Sequence, residues 1–247
     1  MNAIETTGLT KRFRGRTAVD DLNLTIAQGE FFALLGQNGA GKTTTIRMLT
    51  CLLAPSAGDA LLMGESIARN AEAAKPHSNL SPQETAIAQN LTVRENLMLI
   101  ARLYGANKAD ATGQAEAAMR EFGLSARARD RAKTLSGGMQ RRLSIAMALI
   151  TKPNVLFLDE PTLGLDVRAR RELWKTISAL KGKVTVVLTT HYLEEAEALA
   201  DRIGIMHEGR LQALGTAAEL CAKANATNFE DAFLALTESE AEKEAAL

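Results

Sequence analysis

The chain reads as an α/β protein with a mostly parallel central sheet, an N-terminal antiparallel β portion and an inserted helical segment. Three observations in its 247 residues predict this. The runs Phe31–Leu35 and Val155–Leu158 are wholly apolar, as strands buried on both faces require, and a third run, Val184–Thr190, is apolar and β-branched with threonines among its valines and leucine. Each ends in polar or glycine residues, the position at which open α/β sheets place ligands. Between about Val93 and Leu149 the pattern switches to helical spacing with no strand signal.

Taken in order, Leu22-Asn23-Leu24-Thr25-Ile26 alternates with period two and predicts a half-buried strand of a small antiparallel sheet. After Phe31–Leu35 comes Gly36-Gln37-Asn38-Gly39-Ala40-Gly41-Lys42-Thr43, which matches the phosphate-loop pattern, and Thr44–Leu49 then reads as the start of a helix. Strand, glycine loop and helix together aim backbone N–H groups and a helix N-terminus at phosphate oxygens. Gly36, Asn38, Gly39, Ala40, Gly41, Lys42, Thr43 and Thr44 are therefore candidate phosphate-binding residues. The Lys42 ammonium suits the β- and γ-phosphates, and the Thr43 hydroxyl suits Mg²⁺.

Val93–Tyr104 is predicted helical, with Thr92 as N-cap and Gly105 as stop; Ala115–Phe122 is helical and ends at Gly123. Leu135-Ser136-Gly137-Gly138-Met139-Gln140 then runs into a helical stretch that continues to Leu149. Ser136 is placed as its N-cap, and two glycines leave the backbone N–H groups of the first turn bare, a ready anion site. Capping alone explains Ser136 but not paired glycines, which lower helix propensity by about 1 kcal/mol each.

The strand Val155–Leu158 delivers Asp159 and Glu160 at its carboxyl end. Asp159 suits a Mg²⁺ ligand, and Glu160 suits a general base that polarises an attacking water. Arg202–Met206 is a further strand, joined through a turn at His207-Glu208-Gly209-Arg210 to Leu211–Leu214. Phe229, Ala232, Phe233 and Leu236 form a helical apolar stripe, and Glu238–Leu247 is a Glu/Ala-rich end expected to be frayed.

In this order the motifs resemble those of the ATP-binding cassette (ABC) ATPases, over about residues 3–220. The resemblance implies a P-loop NTPase, RecA-like core with an N-terminal antiparallel β subdomain and an inserted helical subdomain. It divides the chain into a nucleotide-binding core (1–87 and 152–215), a helical signature subdomain (88–151) and a C-terminal tail (216–247). It further implies that Phe13 stacks on adenine, that Gln83 senses Mg²⁺ and the γ-phosphate, and that His191 is the switch histidine touching the γ-phosphate. Asp166, in Leu163-Gly164-Leu165-Asp166, falls in the loop that crosses a dimer interface; Val167 stands where relatives usually carry proline. Ser136, Gly137 and Gly138 form the signature, which meets the nucleotide of a second copy. The tail and Asn90–Leu97 resemble the drug, lipid and polysaccharide export branch.

The expected protein is thus an ATPase subunit using ATP and Mg²⁺, paired with a copy of itself or a paralogous cassette, and docked on integral-membrane permease subunits through the groove between the Gln83 loop and the first helix of the helical subdomain. Its expected location is cytoplasmic, peripheral on the inner face of the cell membrane, since no apolar run approaches the ~20 residues a span requires and no secretory signal is visible. A nucleic-acid or ribosome-directed ATPase is disfavoured, and no nucleic-acid partner is expected: 29 basic residues balance 29 acidic ones, and aromatics are only 4% of the chain. An ATP-dependent binding module without turnover is disfavoured by the presence of both Glu160 and His191. Cys51 and Cys221 match no metal or redox spacing and read as small buried hydrophobes, while His77 and His207 read as loop or turn residues.

Overall fold

A computed structural model describes residues 1–238; the end from Ser239 lies outside the described residues, and with it most of the segment expected to be frayed. In chain order the elements are β1 (Asn2–Phe13), β2 (Arg16–Ala27), β3 (Phe31–Leu35), α1 (Lys42–Leu49), β4 (Ala57–Leu62), β5 (Glu65–Ser66), α2 (Ala71–Ala74), β6 (Ser78–Ser81), α3 (Val93–Leu103), α4 (Lys108–Glu121), α5 (Gly137–Leu149), β7 (Val155–Asp159), α6 (Val167–Ser178), β8 (Thr185–Thr190), α7 (Leu193–Leu199), β9 (Arg202–His207), β10 (Arg210–Gly215), α8 (Ala217–Ala224) and α9 (Phe229–Thr237).

Two sheets organise them. The central one has the order β10-β9-β3-β8-β7-β6 and is parallel except for β10. The other, β2-β1-β4-β5, is antiparallel and ends β1 at Phe13. The wholly apolar strands are buried on both faces, and the period-two alternation of β7 sorts its side chains. Leu156 and Leu158 enter a core shared with α3, α4, α5 and α6, whereas Val155 and Phe157 enter a core shared with the antiparallel sheet and α1. Phe31 and Phe32 divide in the same way. A third cluster joins Leu35 and Ile203 to Phe229, Ala232 and Phe233, so the C-terminal stripe packs on the core.

Local signals explain the element ends. Thr92 and Glu95 form a reciprocal capping box at α3, and Ser136 Oγ accepts from the Met139 N–H at α5. The β9–β10 hairpin pairs His207 with Arg210, and its two turn residues, Glu208 and Gly209, both have positive φ, as a type I′ turn requires.

Several expectations are corrected. The second helix of the inserted segment begins at Lys108 rather than Ala115, capped by Asn107, whose side chain accepts from the Asp110 N–H. Its first half was hidden because Thr112 and Gly113 weaken the helical pattern. The phosphate-loop helix begins at Lys42, two residues early. His77 closes a 3₁₀ turn, in keeping with a turn residue, and pairs through Nδ1 with Asn154, whereas His207 is the last residue of β9, at the edge of the hairpin turn rather than in a loop. Both cysteines are half-buried rather than fully buried; burial nonetheless pushes the Cys51 thiol pKa up, which makes it a poor nucleophile.

Candidate nucleotide site

The carboxyl ends of β3, β7 and β8 open onto one cavity of about 530 Å³. The loop after β3 is anchored at both ends: Gly36 N–H donates to the Thr190 carbonyl, and the Ala40 carbonyl accepts from Gly209 N–H. Two of its glycines are required by close approach. A Cβ on Gly36 would lie 2.4 Å from the Met206 carbonyl oxygen, and one on Gly41, at φ 104°, would lie 2.5 Å from that of Ala18. Gly41 also caps α1 without a side chain, which leaves the first N–H groups of the helix facing the cavity.

Lys42 is 5% exposed, and its ammonium is the charge that fills the loop. Nζ donates to the carbonyls of Gly36 (2.7 Å) and Gln37 (3.1 Å) and lies 3.5 Å from Glu160 Oε1. Burial lowers its pKa; Glu160 and, more weakly, Asp159 pull it back.

A continuing strand would send Asp159 and Glu160 to opposite faces. Glu160 instead adopts a left-handed conformation at φ 45°, which costs about 1–3 kcal/mol for a non-glycine residue and occurs where function fixes a side chain. Both carboxylates therefore serve the same cavity. Asp159 Oδ1 accepts from Thr43 Oγ1 (3.2 Å) and from Thr189 Oγ1 (2.5 Å). The Glu160 carboxylate is within 3.3 Å of His191 Nδ1, but the two are not aligned for a hydrogen bond, so this buried nitrogen lacks a partner.

Ten of the candidates named from sequence line this cavity: Phe13, Asn38, Gly39, Gly41, Lys42, Thr43, Thr44, Gln83, Glu160 and His191. Phe13 is 48% exposed, unlike an aromatic buried in the core, so its ring face is open to the cavity. Asp159 lies buried beneath the cavity floor, Gly36 forms the root of the loop, and Ala40 faces a smaller neighbouring cavity. Ser136, Gly137, Gly138 and Asp166 do not line the cavity of their own chain. Asp166 is exposed and caps α6 by accepting from the Ala169 N–H (2.8 Å), so Val167 occupies the first helical position, where a proline would also fit.

Sequence reasoning missed three residues here. Arg16 reaches over the loop and donates to the Gly39 carbonyl at 3.0 Å. Thr189 ties Asp159 and the Glu160 N–H together. Leu163 supplies an apolar wall. A Thr-Thr pair directly before His191 was the available signal for Thr189; Leu163 opens the motif Leu163–Asp166 already singled out, and nothing local marks Arg16.

The arrangement is a glycine-loop cradle suited to phosphate, with a buried cation, an oxygen-rich corner and a carboxylate beside an unpaired imidazole nitrogen. A family model described as ABC transporter matches residues 19–163, more than half of the chain. The chain belongs to the ABC transporter family. Membership makes it an ATP-binding ATPase. Curated ABC relatives include the daunorubicin/doxorubicin resistance ATP-binding protein DrrA of Streptomyces peucetius, 46% identical over 220 residues, which are 88% of this chain and 66% of DrrA. Nod factor export ATP-binding protein I of Paraburkholderia xenovorans (strain LB400) is 43% identical over 89% of this chain and 73% of its own. The match thus spans about two thirds of DrrA's length. Among solved ABC structures, one described as an ATP-binding subunit of an ABC transporter superposes with a TM-score of 0.83 at 29% identity, covering 96% of this chain and all of that one. A dimeric bacterial ABC transporter cassette shares the fold, with a TM-score of 0.77 at 24% identity over 86% of this chain and 98% of its own.

Proposed function

We propose that this ATPase is the motor subunit of an exporter and works as a pair of cassettes closed head to tail around two ATP molecules. The observation that carries the reading is the single cavity in which Phe13, Lys42, Thr43, Gln83, Glu160 and His191 converge from distant parts of the chain. Support for export comes from relatives named for daunorubicin/doxorubicin resistance and Nod factor export. The pairing is supported by Ser136–Gly138, which cap the N-terminus of α5 away from their own cavity.

In this reading residues 1–87 and 152–215 form the nucleotide-binding core, 88–151 the helical signature subdomain and 216–247 the C-terminal tail. Phe13 stacks on adenine; the N–H groups from Gly39 to Thr44 and Lys42 hold the phosphates. Thr43, Asp159 and Gln83 are oxygen donors suited to Mg²⁺, a hard cation that takes few carboxylates beside substrate phosphates and there neutralises developing charge on them. The Thr43 hydroxyl and Asp159 carboxylate already adjoin, so the residues fit. Glu160 orients a water and accepts its proton at a carboxylate oxygen. His191, lacking a partner at Nδ1, contacts the γ-phosphate. The partner's Ser136 and the N–H groups of its Gly137 and Gly138 complete the site from the far side, and Asp166 lies in the loop between the two copies.

Membrane attachment belongs to the same proposal. No helix among the described residues is long and apolar enough to cross a membrane. On α3, Leu99, Leu103 and Tyr104 are 41%, 70% and 65% exposed, and with Leu91 and Met98 this face borders a groove of about 510 Å³. Such a face suits docking on a permease subunit at the inner side of the cell membrane. The test is ATP turnover and binding by wild type and Lys42→Ala: turnover is expected in the first and loss of tight binding or turnover in the second. Equal hydrolysis by both refutes the assignment.

A further inference from the structure

The segment after β6 carries Gln83 and has no regular secondary structure from Pro82 to Leu91, yet it is held at both ends from the helical side. At its far end the buried Asn96 side chain accepts from the Ala88 N–H (2.8 Å) and donates to the carbonyls of Ala88 (3.1 Å) and Thr92 (3.0 Å). At its near end stands Arg141, on the second turn of α5 and only 6% exposed. Its guanidinium donates from Nη1 to the Pro82 carbonyl (2.7 Å) and from Nη2 to the Gln83 carbonyl (2.6 Å). One turn further along α5 the buried Ser144 hydroxyl pairs with that of Ser81 at 2.9 Å.

Among the described residues no carboxylate lies within ion-pair distance of Arg141, so a buried cation is neutralised by backbone carbonyls alone. Desolvation lowers its pKa, opposed weakly by Asp159. A fold that needed only filler here would use an apolar side chain, since burying a charge is costly unless it does something specific. What the guanidinium does is hold two successive carbonyls at once, one from each Nη, a task for its rigid fork that a lysine ammonium cannot reproduce.

We propose that Arg141 is a positioning residue that fastens the Gln83 loop to the signature helix, so that Ser136 and Gln83 move as one body. The proposal rests on the ATPase reading of the site. Ser136 caps α5 and Arg141 sits five residues on, about 7.5 Å along the axis. A nucleotide held by the signature from the partner copy therefore acts, through α5 and Arg141, on Gln83 in the cavity of the chain that owns the signature. Each site of a pair thereby registers occupancy of the other.

The test uses the full-length chain as wild type, Arg141→Met, Arg141→Lys, Gln83→Ala and Arg141→Lys/Gln83→Ala. Amide exchange over residues 82–90 is expected to quicken about tenfold or more in Arg141→Met and less in Arg141→Lys, with β7 and α3 unchanged. In hydrolysis, Arg141→Lys is expected to lower kcat about tenfold with KM for ATP changed less than about twofold, and to add under about twofold in the Gln83→Ala background. Unchanged protection of 82–90, equal loss of protection throughout the chain, or an undiminished kcat loss on top of Gln83→Ala overturns the proposal. Should Arg141→Met not fold, Arg141→Lys and Ser144→Ala carry the same exchange comparison. Absence of any Lys42-dependent ATP binding in wild type refutes the ATPase reading instead, and the exchange data then still judge the clamp.

Discussion

Replacing Glu160 by glutamine separates the chemistry of the site from its binding. Glu160 Oε1 lies 3.5 Å from Lys42 Nζ and 3.3 Å from His191 Nδ1, and the side chain is 9% exposed. The amide keeps the shape and loses the charge and the basic oxygen. A positioned general base contributes about 10²–10⁴ in rate, or about 3–5 kcal/mol of barrier. Turnover should fall by that factor. Binding should behave differently. At 3.5 Å and an effective dielectric near 20, the Lys42–Glu160 attraction is about 5 kcal/mol before desolvation, and an incoming phosphate must compete with it. Removing the carboxylate frees Lys42, which keeps its two loop carbonyls and loses a competitor. ATP affinity should therefore be equal or tighter. Steady-state hydrolysis, paired with an ATP titration, reads both quantities. With binding intact and turnover lost, size-exclusion chromatography with ATP should show a dimer accumulating. Hydrolysis within about threefold of wild type would remove Glu160 from the base role. Loss of ATP binding would show that the carboxylate supports the cradle rather than competing within it.

Lys42→Ala should lose tight ATP binding or turnover, measured by the same titration and hydrolysis assays, because among the described residues no other ammonium is bonded to the loop carbonyls it occupies. Phe13→Ala should weaken ATP binding by the roughly 1–3 kcal/mol of one base–aromatic stack, whereas Phe13→Tyr should stay near wild type; equal affinities for all three would take the ring out of the site. Glu195→Gln should change the pH profile of stability. Glu195 is fully buried and its pKa is raised, chiefly by desolvation. The folded chain thus retains this proton where the unfolded chain has released it. Its stabilisation is complete below the ordinary carboxylate pKa of about 4.3 and is lost as pH rises through the folded value. Glutamine still accepts from Trp174 Nε1, now 2.9 Å from Glu195 Oε1, so Tm of the variant relative to wild type should rise as pH climbs above the ordinary carboxylate range; a difference constant with pH refutes this.

The parts of this protein legible in its sequence are those whose cause is local. Phe31–Leu35 and Val155–Leu158 announce buried strands because both faces are covered, and Thr92, Ser136 and the Glu208-Gly209 turn each fix an end through bonds to residues two or three positions away. The phosphate loop is legible for the same reason: eight consecutive residues carry the geometry. What was hidden depends on tertiary neighbours. β6, Ser78-Asn79-Leu80-Ser81, is polar and pairs only with β7 at the sheet edge, so it shows no apolar run. Thr189 becomes a partner of Asp159 only because β8 lies beside β7 in a register that sets the two opposite each other. Arg141 reads as one more charge on a helix until the Gln83 loop, 58 residues earlier, folds against it. Arg16 likewise acquires its role only when β2 crosses the phosphate loop.

In the proposed pair each nucleotide site is composite, made from one chain's phosphate loop and the other's signature. Mixing two inactive variants, Lys42→Ala and Ser136→Arg, tests it most directly. Ser136→Arg should leave ATP binding to a single chain intact, because Ser136 lies outside that chain's cavity, yet stop hydrolysis by filling the space of the partner's γ-phosphate. In a mixed pair both lesions fall on the same site and the other site is whole. ATPase activity is expected to appear on mixing, approaching about a quarter of wild type per chain if equal amounts pair at random and one site can fire alone. Full hydrolysis by Ser136→Arg on its own would rule out a composite site, since the signature would then line no nucleotide site.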